Sequence, residues 1–168
     1  MARPYVPWPH PCLKTVAADV AQITDEVRAI WDEMLQAMYT MPGVGLAAPQ
    51  LGISLRLAVL DCSDTRDQPV RLANPRIITA SEQMRTGDEG SPNLPGLFED
   101  VSRPEWVEVA YLDETGTEVT QTFRDLWSAS IQHQIDHHQG KMFFDRISPL
   151  KRKRLLAKYQ KAQKRKGA

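Results

Sequence analysis

Cysteine is scarce in this chain: its 168 residues include two, Cys12 and Cys62. Two thiols far apart in sequence argue against a disulfide-stapled secreted scaffold and predict a pair of free thiols in a reducing compartment. Long apolar runs are missing as well. No stretch approaches the roughly 18 consecutive apolar residues of a membrane span, so no membrane partner is expected. The opening Met1-Ala2-Arg3-Pro4-Tyr5 has no apolar core of the kind a secretory leader carries. Together these absences predict a cytoplasmic protein. Net charge is absent too, with 21 basic residues balancing 21 acidic ones.

The balance is uneven along the chain. Nine Lys and Arg and no acid fall in residues 151–168, which leaves 12 basic against 21 acidic residues in 1–150, a net of −9. A cationic tail on an anionic body suggests contact with a polyanion such as RNA, without the features of sequence-specific DNA readout. A hydrophobic fraction of 42% and a charged fraction of 25% are ordinary for a soluble globular chain, and the length suits one domain over 1–168 with a single core.

Periodicity places the elements. Ile23, Val27, Ile30, Trp31, Met34, Leu35 and Met38 recur on one helical face, so Thr24 to Tyr39 reads as an amphipathic helix. Thr24 is its N-cap, Asp25 and Glu26 suit the positive first turn, and Pro42-Gly43 stop it. Gly43 to Gly52 reads as a turn-rich loop. Leu55 to Asp61 reads as a strand, and Arg71 to Thr79 as a short strand interrupted at Pro75. Trp106 to Leu112 and Thr117 to Phe123 form a hairpin across Asp113-Glu114-Thr115-Gly116. Leu126 to His138 reads as a helix ending before Gly140, and a last helix starts at Ser148-Pro149 and runs into the basic tail. Leu150, Leu155, Leu156 and Tyr159 give that helix an apolar docking stripe. Helix, strands, helix, helix is an α+β order.

Two segments carry chemistry. In His133-Gln134-Ile135-Asp136-His137 the histidines stand one turn apart on the same helix face, where both imidazoles can converge on one metal ion. Ala129 and Ser130, one turn earlier, are small enough to let another segment approach, while Trp127, Ile131 and Ile135 lie on a different face and anchor the helix. By itself a His-x-x-x-His is modest evidence, and two packed histidines are the commoner outcome. The second segment, Gly43-Val44-Gly45-Leu46-Ala47-Ala48-Pro49-Gln50, combines small residues with one long amide. It does not match a phosphate-binding loop.

Taken with Glu89-Gly90-Ser91-Pro92-Asn93 between them, these segments resemble the motifs of peptide deformylases: G-x-G-x-A-A-x-Q, E-G-C-L-S and H-E-x-x-H, in that order. The likeness covers about residues 10 to 165. It implies a deformylase-like α+β fold, with antiparallel or mixed sheets around a central helix carrying the histidines and with N- and C-terminal helices. It implies an activity too, removal of formyl from the N-terminal formyl-Met of nascent proteins. The family's metal ligands correspond to His133, His137 and Ser91, where a serine replaces the ligand cysteine. The general-base Glu is Gln134, the oxyanion amide is Gln50, and the leucine whose N–H assists is Pro92, which has none. Val44, Gly45, Glu89 and Gly90 correspond to substrate-binding positions.

A neutral hydroxyl is a far poorer ligand than a thiolate, and an amide cannot accept a proton near neutral pH. The expectation is a deformylase-like protein impaired or inactive in catalysis, with no metal or a weakly bound Fe, Zn or Ni at His133 and His137. It would hold N-terminal peptides of nascent chains and contact the ribosome through residues 152–168, as the family's C-terminal helix does. The alternative is a working metal-dependent hydrolase, slow or altered in substrate. Smaller expectations are Asp136 steadying a histidine ring or local backbone, an oxygen for a metal from Asp88, Glu89 or Asn93, and, less favoured, a Ser91–His133 nucleophilic pair.

Overall fold

A computed structural model describes residues 3–167. Met1 and Ala2, read above for the absence of a leader, and Ala168, the end of the basic tail, lie outside the described residues. In chain order the elements are α1 (Asp25–Thr40), β1 (Gly45–Ala47), β2 (Leu57–Leu60), β3 (Val70–Ala80), β4 (Met84–Gly90), β5 (Phe98–Pro104), β6 (Trp106–Leu112), β7 (Glu118–Arg124), α2 (Asp125–His138) and α3 (Pro149–Lys166), with short 3-10 turns at Pro11–Lys14, Ala48–Leu51 and Phe143–Arg146. Among the described residues no helix is long and apolar enough to cross a membrane.

The strands make a five-stranded antiparallel sheet, in the order β1-β2-β3-β6-β7, and a separate antiparallel pair, β4-β5. β2 shows why the large sheet is covered on both faces. Its side chains alternate, so Leu57 and Val59 join Trp31, Met34 and Met38 of α1 on one side. Ala58 and Leu60 join Ile131 and Ile135 of α2 on the other, and all four β2 residues are fully buried. A third cluster, including Leu13, Leu94, Val101, Phe143, Phe144, Leu155 and Tyr159, ties β5 and α3 to the body.

The expected helix ends hold closely. Thr24 caps α1 by accepting from the Val27 N–H, and Ser148 caps α3 by accepting from the Lys151 N–H. β3 differs from the reading of a strand cut at Pro75. It runs through the proline on a bulge, because the register with β6 shifts between Ala73 and Arg76. Asn74 sits there at φ 51°, its side chain bridging the N–H and C=O of Val20. Proline's missing N–H is tolerated where the ladder is already interrupted. β1 lies inside the segment read as a loop. β4 and β5 had no counterpart in the sequence reading, since their polar, glycine-bearing residues alternate too weakly to signal strands. On α3, Leu155 and Tyr159 dock as expected, but Leu150 of the proposed stripe is 58% exposed.

Candidate active site

α2 carries the two histidines into the interior. Ile131 and Ile135 fix it against the large sheet, and the adjoining Ser130 and Gln134 meet the sheet's edge strand β1. The approach is close because β1 has a glycine where a side chain would clash. A Cβ on Gly45 would stand 2.3 Å from Ser130 Oγ and 2.6 Å from Gln134 Nε2. Ser130, small as the sequence required, donates to Val44 O at 3.2 Å.

His133 and His137 bring their Nε2 atoms to 3.1 Å of each other. His133 Nδ1 is 2.8 Å from Glu89 Oε1 on β4. A proton on His133 Nδ1 points at that carboxylate and leaves Nε2 facing His137. His137 is fully buried, and burial, followed by the charge of neighbouring His133, His138 and Arg103, holds its pKa well below 6.5. Its Nδ1 is buried without a partner among the described residues.

Glu89 belongs to a larger ionic group. Arg103, 3% exposed, donates Nε and Nη2 to the two Glu89 oxygens at 2.7 and 2.9 Å, and Nη1 to Asp136 at 2.9 Å. Arg146 donates to the same Asp136 carboxylate from outside. Burial alone would raise the Glu89 pKa. Bonds and charge from His133 and Arg103 outweigh it and hold the carboxyl at about 2. Asp136 therefore serves Arg103 and Arg146, not a histidine ring, and that smaller expectation is corrected. A buried carboxylate at this place needs a cation more than a ring needs a second acceptor.

Ser91, Gln50 and Asn93 form a neutral polar knot beside the histidines. Gln50 Nε2 donates to Ser91 Oγ at 3.2 Å and to Asn93 Oδ1 at 2.9 Å, while its Oε1 accepts from Ala47 N. Ser91 Oγ donates to Asn93 Oδ1 at 2.8 Å. Asn93 Nδ2 reaches Val6 O and Gln50 O. Both N–H groups of the Gln50 amide are thus engaged within the chain. Ser91 bonds to Asn93 and not to His133, so the structure does not bring that nucleophilic pair together. Asn93 is a hub of this knot rather than an oxygen lent to an ion, and Asp88, exposed and bordering the cavity, joins no metal-binding group among the described residues. The histidine pair offers two converging nitrogen donors. The third donor is a neutral hydroxyl already hydrogen-bonded, and among the described residues no three His, Cys, Asp or Glu gather in metal-binding geometry. The residues present do not fit the three-ligand site that the resemblance implies.

In front of the histidines lies a cavity of about 190 Å³ between the free edges of β1 and β4. Val44, Gly45, Gln50, Glu89, Gly90, Pro92, His133 and Gln134 line it, so eight of the ten positions drawn from the motifs converge there. The other two stand behind: His137 in the interior, and Ser91 beside a neighbouring apolar hollow with Tyr5, Met41, Pro95 and Phe98. Gln134 is 3% exposed and its Oε1 has no partner among the described residues. Arg103 was missed by the sequence reading. A lone arginine in an unrecognised polar strand gave no signal for it.

An α+β scaffold with a His-x-x-x-His helix facing a glycine-edged groove is the build of a metallohydrolase. The polypeptide deformylase family profile matches residues 2–153. The chain is 43% identical over 167 residues to the peptide deformylase of Methylocella silvestris, covering 96% of this chain and 85% of that one. It is 40% identical to that of Cellvibrio japonicus, covering 96% and 95%. The crystal structure of peptide deformylase from Ehrlichia chaffeensis superposes with a TM-score of 0.92 at 26% identity over the full length of both chains. That from Legionella pneumophila gives 0.88 at 35% identity, over 98% and 99%. This chain belongs to the peptide deformylase family.

Proposed function

We propose that this chain holds the N-terminal end of an extended peptide in the groove and is impaired in removing a formyl group from it. The observation that carries the reading is Gln134. Its amide borders the groove beside Gly45, at the position that corresponds to the family's general-base Glu. An amide hydrogen-bonds but does not accept a proton near neutral pH, and loss of a general base typically lowers rate by about 10²–10⁴. Two further features point the same way: Ser91 as a weak third donor for an iron, zinc or nickel ion at His133 and His137, and Pro92 without an N–H. Binding has independent support. β1 and β4 each leave one edge without a partner strand, which suits backbone pairing to a peptide laid between them.

A second reading, a working metal-dependent amide hydrolase, is the one the comparisons favour. The relatives reported above at 40–43% identity are both named peptide deformylase. One experiment separates the two. The protein is purified without added metal, its metal content is measured, and a formyl-Met peptide is then offered with excess iron, nickel or zinc. Substoichiometric metal, measurable peptide binding and no turnover above background are expected. Turnover close to that of a deformylase assayed alongside rejects impairment and leaves the second reading standing.

The setting proposed is the cytoplasm, on nascent chains at the ribosome. The support is the exposed cationic surface of α3, on which Lys151, Arg154 and Lys158 share one face.

A further inference from the structure

β1 forms one wall of the groove with only three residues, and its start is held from outside the sheet. Val44 O is turned toward β2, where it accepts from the Asp61 N–H at 3.0 Å. Gly45, the next residue, therefore turns its own N–H and C=O to the free edge, because backbone groups alternate in direction along a strand. Arg66, half-buried in the loop between β2 and β3, closes this end. Its Nη1 donates to Asp61 O at 2.6 Å and its Nη2 to Gly43 O, so one guanidinium spans the residue before Val44 and the residue after β2. The loop is shaped for this contact. The buried Asp61 carboxylate accepts from Ser63 N and Oγ at 3.0 and 2.6 Å and from Gln68 N at 3.1 Å. Between them Arg66 holds a left-handed backbone at φ 57°, which costs a residue other than glycine free energy. Tyr39, near the end of α1, donates its hydroxyl to the second Asp61 oxygen, and its ring centroid lies 5.1 Å from Arg66 Cζ. Burial, then the Asp61 contact, push the Tyr39 pKa up to about 12, so the phenol keeps its proton and stays the donor.

From this arrangement we infer that Arg66 is a positioning residue for peptide binding: it fixes the Gly43–Gly45 segment so that the free edge of Gly45 meets an extended peptide in register. The inference rests on the peptide-groove reading above and names a residue outside the groove on which that groove depends. Gly43, Val44 and Gly45 line the cavity, and Arg66 stands behind them. The segment needs such a clamp. Gly45 gives α2 its close approach, and a glycine on each side of Val44 leaves the chain free to turn away from that register. The remaining tethers act elsewhere. Gly43 N donates to Met38 O at 2.7 Å, and Ser130 Oγ donates to the same Val44 carbonyl that Asp61 already holds. The Gly43 carbonyl is aimed by the guanidinium, through a charge-assisted bond stronger than a neutral one.

The test is binding of formyl-Met-Ala-Ser, labelled at its C-terminus, by fluorescence anisotropy, beside two analogues in which an ester oxygen replaces the Ala or the Ser N–H. Consecutive amides of an extended peptide point to opposite sides, so one analogue reports on the β1 edge and the other on the β4 edge. With the native chain each ester is expected to bind about five times more weakly than the parent. Arg66→Gly keeps the left-handed backbone and removes the fork. In it, one of the two ratios should fall to about two or less while the other holds. Arg66→Lys should lose the same ratio, since it keeps the charge but has no fork to reach both carbonyls. Circular dichroism and urea unfolding check that each variant is folded, and Arg66→Lys carries the test where Arg66→Gly does not fold. Two unchanged ratios, or two lowered by the same factor as in a general loosening of the fold, overturn the role of Arg66 and leave the groove reading intact. A native chain that binds none of the three peptides, or binds the esters as tightly as the parent, overturns both.

Discussion

His133 Nδ1 stands 2.8 Å from Glu89 Oε1, although 44 positions separate the two residues in the chain. β4 delivers the carboxylate and α2 the imidazole, and Arg103 on β5 holds the carboxylate from the other side. This link fixes the ring that faces the groove. It also makes the site one structural unit with the β4-β5 pair, so that site and scaffold share the same buried charges.

Arg103→Leu is expected to destabilise the protein by about 3–5 kcal/mol, because it leaves the Glu89 and Asp136 carboxylates buried beside each other without their common cation. Arg103→Lys should lose less, since it keeps the charge and gives up the fork geometry. Urea unfolding of the two variants measures this. A loss below about 1 kcal/mol for Arg103→Leu would show that the network adds little.

Acid should weaken the fold in a defined window. Glu89 ionises at about 2 in the folded chain against an ordinary 4.5, so its charged form is the one that folding favours. That contribution is fully present above pH 4.5 and fades as pH falls toward 2. At most it amounts to about 3 kcal/mol. In Glu89→Gln the slope of stability against pH between those values should flatten. An identical slope in native and variant chains, followed by denaturant unfolding, would place the acid sensitivity elsewhere.

Ser91→Cys, Pro92→Leu and Gln134→Glu together should restore formyl release if only those positions limit the chemistry, with a gain of at least about 10² over the native chain. Metal content should rise toward one ion per chain in parallel. The single changes should recover little, because these groups act as a unit. Metal gain without turnover would locate a further defect in the groove, and Gln50 is the first place to look, since both of its N–H groups are already engaged.

If α3 contacts RNA through its cations, binding to ribosomal RNA fragments should fall steeply with salt. Replacing Lys151, Arg154 and Lys158 with Gln should lower the slope of log K against log salt by about 2–3. Leu155 and Tyr159 dock the helix and are unaffected by those changes. A slope unchanged by the triple replacement would identify the tail as a solvated helix end.

Much of the site could be read without coordinates. The spacing of His133 and His137 already places both on one helix face. Gly45 could be recognised as a close approach, and Ser91, Pro92 and Gln134 as departures from a known pattern, because those facts depend on residue type and local spacing alone. What the sequence did not disclose is long-range. β4 and β5 are polar and weakly alternating, so the strands that carry Glu89 and Arg103 gave no periodic signal. Asn93 looked like a spare oxygen and is instead bonded to Gln50, Ser91 and Val6.

The sequence by itself determined the three helices, the β6-β7 hairpin, the family and the identity of every replaced group, since capping, hydrophobic period and chemical type are local properties. Only the tertiary structure decided which charges meet. Arg103 is neutralised between two carboxylates and Arg66 clasps two carbonyls behind the groove, because pairing between distant groups is set by how sheets and helices pack, and no local pattern encodes that distance.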